Sequence, residues 1–538
     1  MAKKETKQNF LGGAAILAAA VAVVKLIGAI FKIPLTNIIG AEGMTHFNTS
    51  YKIYNLLLTI STAGLPLALS RLVSEANALG RENEKRRIFH VALGLFFLLG
   101  LSGSLIMFFG TEPLAELMNN SLAFYAIRAL SPAVFCVCLM SAMRGYTQGQ
   151  GNMKPTAISQ ILEALCKLVV GLTLAVVLLR QGYGVEVGAA GGIFGVTVGT
   201  AASLIFLSLY LLRRRSRTPG ADIAPSSGRL LKRLLVIGIP ITLGSSGMSL
   251  ISLIDQSVAM GRLQDALGMS EKAAAALYGQ YTFSENLFNL PSSFVYPVTM
   301  SLIPAVAAAL AQQDHNRVSK LVSSSFRLIA TLVIPAGVGL SVLAGPILLM
   351  LYPSQRADAV AATYHLQLLG VACIFVCLMV LTNAILQSHG RERIPIFTII
   401  AGGLVKISMN YVLIGNPDIN IKGAPISTLC CYVVIAGLNL FFVYRTLEEK
   451  PGYWGLFFKP ALASVIMGLG ARISYLACNG ALSSRMGEYA GNALATLAGV
   501  GAGVVVYVIL IPVLRILTAD DLKNLRGGDR ISRILHLK

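Results

Sequence analysis

Apolar runs of about 20 residues, the length that crosses about 30 Å of hydrocarbon, recur along the whole chain. They predict about fourteen transmembrane helices. The first seven lie near 10–39, 45–73, 88–109, 121–143, 157–179, 189–212 and 235–260. The rest lie near 277–309, 327–351, 363–387, 395–414, 423–444, 460–479 and 489–514. Two runs are interrupted in a regular way. Lys25, Gly28 and Lys32 share one face of the first span. Asn48, Lys52, Asn55, Thr59 and Thr62 follow 4-3-4-3 spacing down the second. An ionised side chain at the bilayer centre costs about 2.5–3.5 kcal/mol on insertion scales, so a stripe of them needs water, a partner or a lipid headgroup beside it. These lysines predict a hydrophilic cavity that prefers anions.

The spans exhaust the chain. Of 538 residues, 55% are hydrophobic and only 13% charged, about half the charge of an average soluble domain. Mean hydropathy is +0.71. The longest polar segment, about 213–234, is too short to bury a core of its own. A net charge of +20 raises the question of nucleic acid, and the distribution answers it. Basic residues crowd into alternate loops, RENEKRR at 81–87, RRRSR at 213–217 and the tail from Arg515, whereas the loop at 110–120 has none. That asymmetry predicts both termini on the cytoplasmic side of the membrane, with the excess charge setting topology and touching anionic lipid. The basic start MAKKETKQN leads into a run that is too long for a signal peptide and contains Lys25, so it reads as a retained first helix.

Part of the sequence occurs twice. Cys138-Leu139-Met140 matches Cys377-Leu378-Met379, and Gln148, Gly151 and Lys167 match Gln387, Gly390 and Lys406 at the same offset. Pro66 with Ser70 is echoed by Pro297 with Ser301. The offset covers six spans, so both copies keep one orientation: a parallel repeat of two six-helix lobes, with the site between them. The expected division is an N-lobe at 1–230, a C-lobe at 231–455, and a two-helix addition with a basic tail at 456–538. Spans 7 and 8 then mirror spans 1 and 2, and they also carry polar faces: Ser245, Ser249, Ser252 and Asp255 or Gln256, then Tyr281, Glu285, Asn289 and Ser292.

Each charge has two readings. Lys25, Lys32 and Lys52 either face the cavity or snorkel to an interface. Arg128 either faces the cavity or anchors backbone carbonyls. Glu163 and Lys167, four apart, read as a structural ion pair on one helix. Asp255 binds a coupling Na⁺ or proton, or only neighbouring hydroxyls. The substrate-binding set is therefore Lys25, Lys32, Asn48, Lys52, Asn55, Arg128, Glu285 and Asn289, with Asp255 for coupling. No chemistry beyond binding is legible. The six histidines are scattered without HExxH, and no GxxxxGK[ST] loop is present, so neither catalysis, a resident metal nor a cofactor is expected. The eight cysteines fall in or beside apolar spans and imply no disulfide framework.

In GAIFKIPLTNIIGAEGMTHFNTSYKIYNLLLTISTAGLPLALSRLVSEANALG and GYTQGQGNMKPTAISQILEAL, with its Q-G-x-G-x-x-x-P loop, the chain resembles the polysaccharide exporters of the MATE-like (MOP) flippase superfamily. The likeness is to the SpoVB–YtgP branch, relatives of the lipid II flippase MurJ, and covers essentially the whole chain. It implies an all-α polytopic protein, two lobes in a V around a cationic cavity lined by spans 1, 2, 7 and 8, and a lipid-tail groove at spans 13 and 14. It places Lys25 at a basic cavity position and Asp255 at a cation site. The chain departs from the pattern at Phe31, which stands where an arginine is expected, with Lys32 beside it, and at Glu285 in place of an arginine on span 8. The implied activity is transfer of an undecaprenyl-pyrophosphate-linked peptidoglycan precursor between leaflets, driven by Na⁺, H⁺ or the membrane potential. Partners would be that lipid, the surrounding membrane and the cell-wall synthesis machinery, not nucleic acid. A carrier of another capsular, cell-wall or spore-cortex glycan, a drug/cation antiporter and a scaffold for envelope synthesis are the rival readings.

Overall fold

The computed structural model describes residues 10–214 and 222–517. The leading MAKKETKQN, part of the RRRSR run and the tail beyond residue 517 lie outside them. Every regular element among the described residues is helical. Eleven helices are long and apolar enough to cross a membrane, twelve if one bent pair counts as a single span. The chain is a multi-pass membrane protein.

With the bent pair counted as one span, the shortfall from about fourteen has two sources. The first element, α1 (Phe10–Thr62), runs 53 residues and is broken at Gly40, whose φ of 67° and ψ of −170° are non-helical. As one rod it would measure about 80 Å, far beyond the hydrocarbon thickness, so it contains two spans turning at Gly40. Only glycine adopts that backbone geometry cheaply. The second source is the expected span 277–309, which is divided between α9 (Glu271–Phe288) and α10 (Ser292–Ala311) at Pro291.

The chain divides into two compact units, Met1–Gly279 and Gln280–Lys538. In the first unit α1 is followed by α2 (Leu65–Ala78), α3 (Glu82–Phe109), the short α4 (Thr111–Leu117), α5 (Phe124–Gly149), α6 (Lys154–Arg180), α7 (Val185–Arg213) and α8 (Ser227–Gly261). The bent pair is α8 with the turn that continues it to Ala266: Ser227–Thr242 and Ser245–Ala266 meet at 46°. The repeat assigns α8 to the C-lobe, yet within this unit it packs on α1, α2 and α3. The tightest packing is α6 on α7. A Cβ on Gly195 would lie 2.6 Å from Gly171 Cα and 2.8 Å from the Lys167 carbonyl oxygen. Small residues there let the backbones touch, as helix association in lipid requires. That contact holds the middle of α6 against α1, where Phe31 is fully buried with its ring against Gly171.

The division falls within α9, so its first part up to Gly279 belongs to the first unit; in the second unit the rest of α9 and α10 are followed by α11 (His315–Val342), α12 (Ala344–Leu351), α13 (Arg356–Ala361), α14 (Thr363–Ser388), α15 (Arg393–Ile414), α16 (Gly423–Thr446), α17 (Tyr453–Met486) and α18 (Glu488–Val513). The last two pack mainly on each other, with α17 also against α11 and α18 against α12. All eight cysteines are free.

Candidate functional site

The polar stripe of α1 is real, and in the first unit most of it is engaged. Lys52 Nζ donates to the Tyr278 hydroxyl at 2.8 Å and sits 5.3 Å from that ring's centre. Thr59 Oγ1 meets Ser249 Oγ on α8 at 3.0 Å. Asn48 is buried, 6% exposed, and Asn55 is half-buried between them. Thr62 turns back to the Leu58 carbonyl of its own helix.

Sequence reasoning missed the hub of this stripe, Thr49. Its hydroxyl donates to the Thr45 carbonyl at 2.8 Å. It accepts from Asn120 Nδ2 at 2.8 Å and from Gln256 Nε2 at 2.5 Å. One donor and two lone pairs are thus all used. Asn120 Oδ1 lies 2.8 Å from His46 Nδ1, and Thr45 Oγ1 reaches the Ala275 carbonyl at 2.6 Å. The only signal in the chain was that Thr45 and Thr49 lie one helical turn apart, beside Asn48.

The charged residues are placed unevenly. Lys25 is exposed and, among the described residues, has no hydrogen-bond or ion-pair partner. Lys32 is half-buried. Arg128 stacks over Phe108 and Phe124, 4.6 and 5.7 Å from their ring centres, so it anchors to an aromatic surface and no contact joins it to the stripe among the described residues. Asp255 is buried, 4% exposed, next to Gln256 on α8.

The expected pair of Glu163 with Lys167 is not formed. Glu163 Oε2 accepts from Arg144 on α5 at 3.1 Å, and Arg144 Nε donates to Ser159 at 2.9 Å. A guanidinium anchored at two points outcompetes a flexible ammonium for the carboxylate. Lys167 lies instead over Phe31 and Tyr51, 4.9 and 5.0 Å from the ring centres.

In the second unit, Asn289 is exposed and donates to the Glu285 carbonyl at 2.9 Å, closing the last turn before Pro291. Glu285 is half-buried. Tyr281 is buried and meets Thr428 Oγ1 at 3.1 Å. Among the described residues no group of three or more His, Cys, Asp or Glu side chains is arranged to hold a metal ion.

Comparison with known proteins gives these helices a context. Over 531 residues the chain is 25% identical to "Stage V sporulation protein B" of Bacillus subtilis (strain 168), covering 96% of this chain and 98% of that protein. It is 24% identical to "Lipid II flippase MurJ" of the same organism over 490 residues, 86% of this chain and 88% of the relative. A solved structure titled "Lipid II flippase MurJ, inward closed conformation" superposes with a TM-score of 0.70 at 14% identity, covering 93% of this chain and 98% of that one. The fold is therefore that of the MOP-superfamily flippases. Residues 10–310 match the model of the polysaccharide biosynthesis protein family, more than half of the chain, and the protein belongs to that family.

Proposed function

We propose that this protein moves an undecaprenyl-pyrophosphate-linked saccharide from the inner to the outer leaflet by alternating access, with lipid II as the first candidate. The observation that carries the reading is the set of lysines in the two spans of α1, Lys25 and Lys32 before the turn at Gly40 and Lys52 after it, in helices that cross a membrane. Hydrocarbon opposes such charges and a lipid-borne diphosphate compensates them. Two relatives and a structural neighbour bear names of that kind of transport or of sporulation. With both termini cytoplasmic, an inside-negative potential favours outward passage of an anionic headgroup by about 2.3 kcal/mol per charge per 100 mV. Asp255, buried on α8, is the group proposed to bind the coupling Na⁺ or proton.

The test is purified protein in vesicles with fluorescent lipid II, scored for outer-leaflet exposure with and without Na⁺ and a potential. Lys25→Ala and Lys52→Ala should each slow exposure about tenfold or more, and wild-type rates in both would remove the lysines from substrate binding. The sporulation relative favours one second reading, a spore-cortex glycan precursor. Substituting that lipid in the same vesicles decides between the two.

A further inference from the structure

The directions of the hydrogen bonds at Thr49 fix a proton on a buried histidine. Thr49 gives its one hydrogen to the Thr45 carbonyl, so its oxygen only accepts and Asn120 must present Nδ2 to it. Asn120 Oδ1 then faces His46 Nδ1 at 2.8 Å and only accepts, so the imidazole holds a proton on Nδ1 in either charge state. Nε2 is left over. His46, Thr49 and Asn120 are fully buried, and among the described residues Nε2 has no hydrogen-bond partner. In the neutral ring Nε2 is a bare lone pair without a donor, a condition buried polar atoms ordinarily avoid. A second proton would turn it into a donor beside a carboxylate, because Glu42 Oε1, one turn nearer Gly40, lies 3.8 Å away. The Glu42 side chain is 29% exposed, so it touches water where His46 does not.

Other charges around this part of α1 are engaged elsewhere or act at one remove. On α9, Lys272 acts on Glu42, and Glu271 accepts from the Ser121 hydroxyl and the Leu122 amide. Asp255 of α8 is the chain neighbour of Gln256. Arg128 of α5 and Lys167 of α6 lie over aromatic rings. Glu186, in the first turn of α7, has its carboxylate folded back over Gly184. Among the described residues, Glu42 alone lies within ion-pair distance of His46.

We infer that His46 is a proton-binding site of the first unit, filled from water by way of Glu42 and linked to α8 through Asn120, Thr49 and Gln256. The proton passes from hydronium to the Glu42 carboxylate and on to Nε2, which leaves a carboxylate facing an imidazolium. The charged ring then donates to Asn120 Oδ1, and a hydrogen bond from a charged donor is about twice as strong as a neutral one. Polarised in turn, Asn120 donates more strongly to Thr49, the atom on which Gln256 of α8 also rests. Low pH therefore tightens the grip of α1 on α8. The site is separate from Asp255 and does not depend on which lipid the protein moves.

The experiment follows the full chain in lipid nanodiscs by NMR, with nitrogen labels in the histidine rings and glutamine side chains. The scan runs from about pH 5 to about pH 8, where imidazoles ordinarily change charge. His46→Asn, whose amide still donates to Asn120 in place of Nδ1, assigns the ring signal by its loss, and Gln256→Leu assigns the glutamine. In wild type Nδ1 should stay protonated throughout, Nε2 should gain its proton as pH falls, and the Gln256 amide should shift with the same midpoint. Glu42→Gln should lower that midpoint by about one pH unit. In His46→Asn the Gln256 signal should lose this transition, and any shift that persists belongs to Asp255 beside it. A ring that keeps one charge across the range, a neutral ring protonated on Nε2, or a midpoint unmoved by Glu42→Gln overturns the proton site. A Gln256 transition unchanged in His46→Asn overturns the link to α8. Melting curves establish that each variant is folded. Should His46→Asn fail to fold, the wild-type and Glu42→Gln titrations decide the site, and a Gln256 midpoint that does not follow the ring's in both defeats the link.

Discussion

Glu163 accepts a hydrogen bond of 3.1 Å from Arg144, while Lys167, one turn further along the same helix, lies over the rings of Phe31 and Tyr51. Spacing alone pairs the glutamate with the lysine. Packing of α5 against α6 and α7 supplies a better partner and releases the lysine to the aromatic wall.

Arg144→Met should be strongly destabilising. Both partners are mostly buried, with side-chain exposures of 15% and 26%, and removing one cation leaves the carboxylate uncompensated. The expected cost is about 3 kcal/mol. Arg144→Met combined with Glu163→Gln should recover most of it. A thermal-melt double-mutant cycle checks this, and an additive pair of losses would contradict the buried-pair account.

Thr49→Val should cost about 2 kcal/mol or more, because Asn120 Nδ2 and Gln256 Nε2 both lose their acceptor in a buried position. Gln256→Leu in that background should cost little further. Melting temperatures of the two single variants and the double variant give the comparison.

Gly40→Ala should destabilise by about 1–3 kcal/mol, since the turn between the first two spans uses a backbone region essentially reserved for glycine. Gly28→Ala on the same element, where a Cβ meets nothing within 4 Å, is the control and should be neutral or mildly stabilising.

Asp222 tests the polar end of the first unit. Its carboxylate accepts from the Asn83 and Glu84 amides at 2.9 and 2.8 Å, capping α3. Burial raises this carboxyl, but those two amides and the Arg81 charge outweigh it and hold it below its ordinary 3.8. A depressed carboxyl contributes fully above about pH 4, and the contribution disappears as pH falls through the lowered value. Hydrogen exchange at Asn83 and Glu84 should therefore accelerate in Asp222→Ala at neutral pH, and in wild type only under strong acid. Unchanged exchange in Asp222→Ala would show that the cap does not hold this end of α3.

The hydrophobic pattern alone determined the class of this protein. Runs of about 20 apolar residues have one stable form in lipid, the helix, and Lys25, Lys32 and Lys52 stand out in the first two of them because no folding detail is needed to make a charge costly there. The second span's polar face was equally plain, since 4-3-4-3 spacing is a property of one helix. Partners were not. Tyr278 for Lys52, Arg144 for Glu163 and the Asn120–Thr49–Gln256 hub join residues from 19 to 226 positions apart. Such contacts follow from which helices the glycines of α7 and the turn at Gly40 bring within reach. Helical periodicity fixes which face a side chain occupies, and only the packing of other helices decides what that face meets. For that reason Lys167 reads as half of an ion pair in the sequence, yet in the fold, among the described residues, it is an ammonium without an ion-pair partner, lying over the rings of Phe31 and Tyr51.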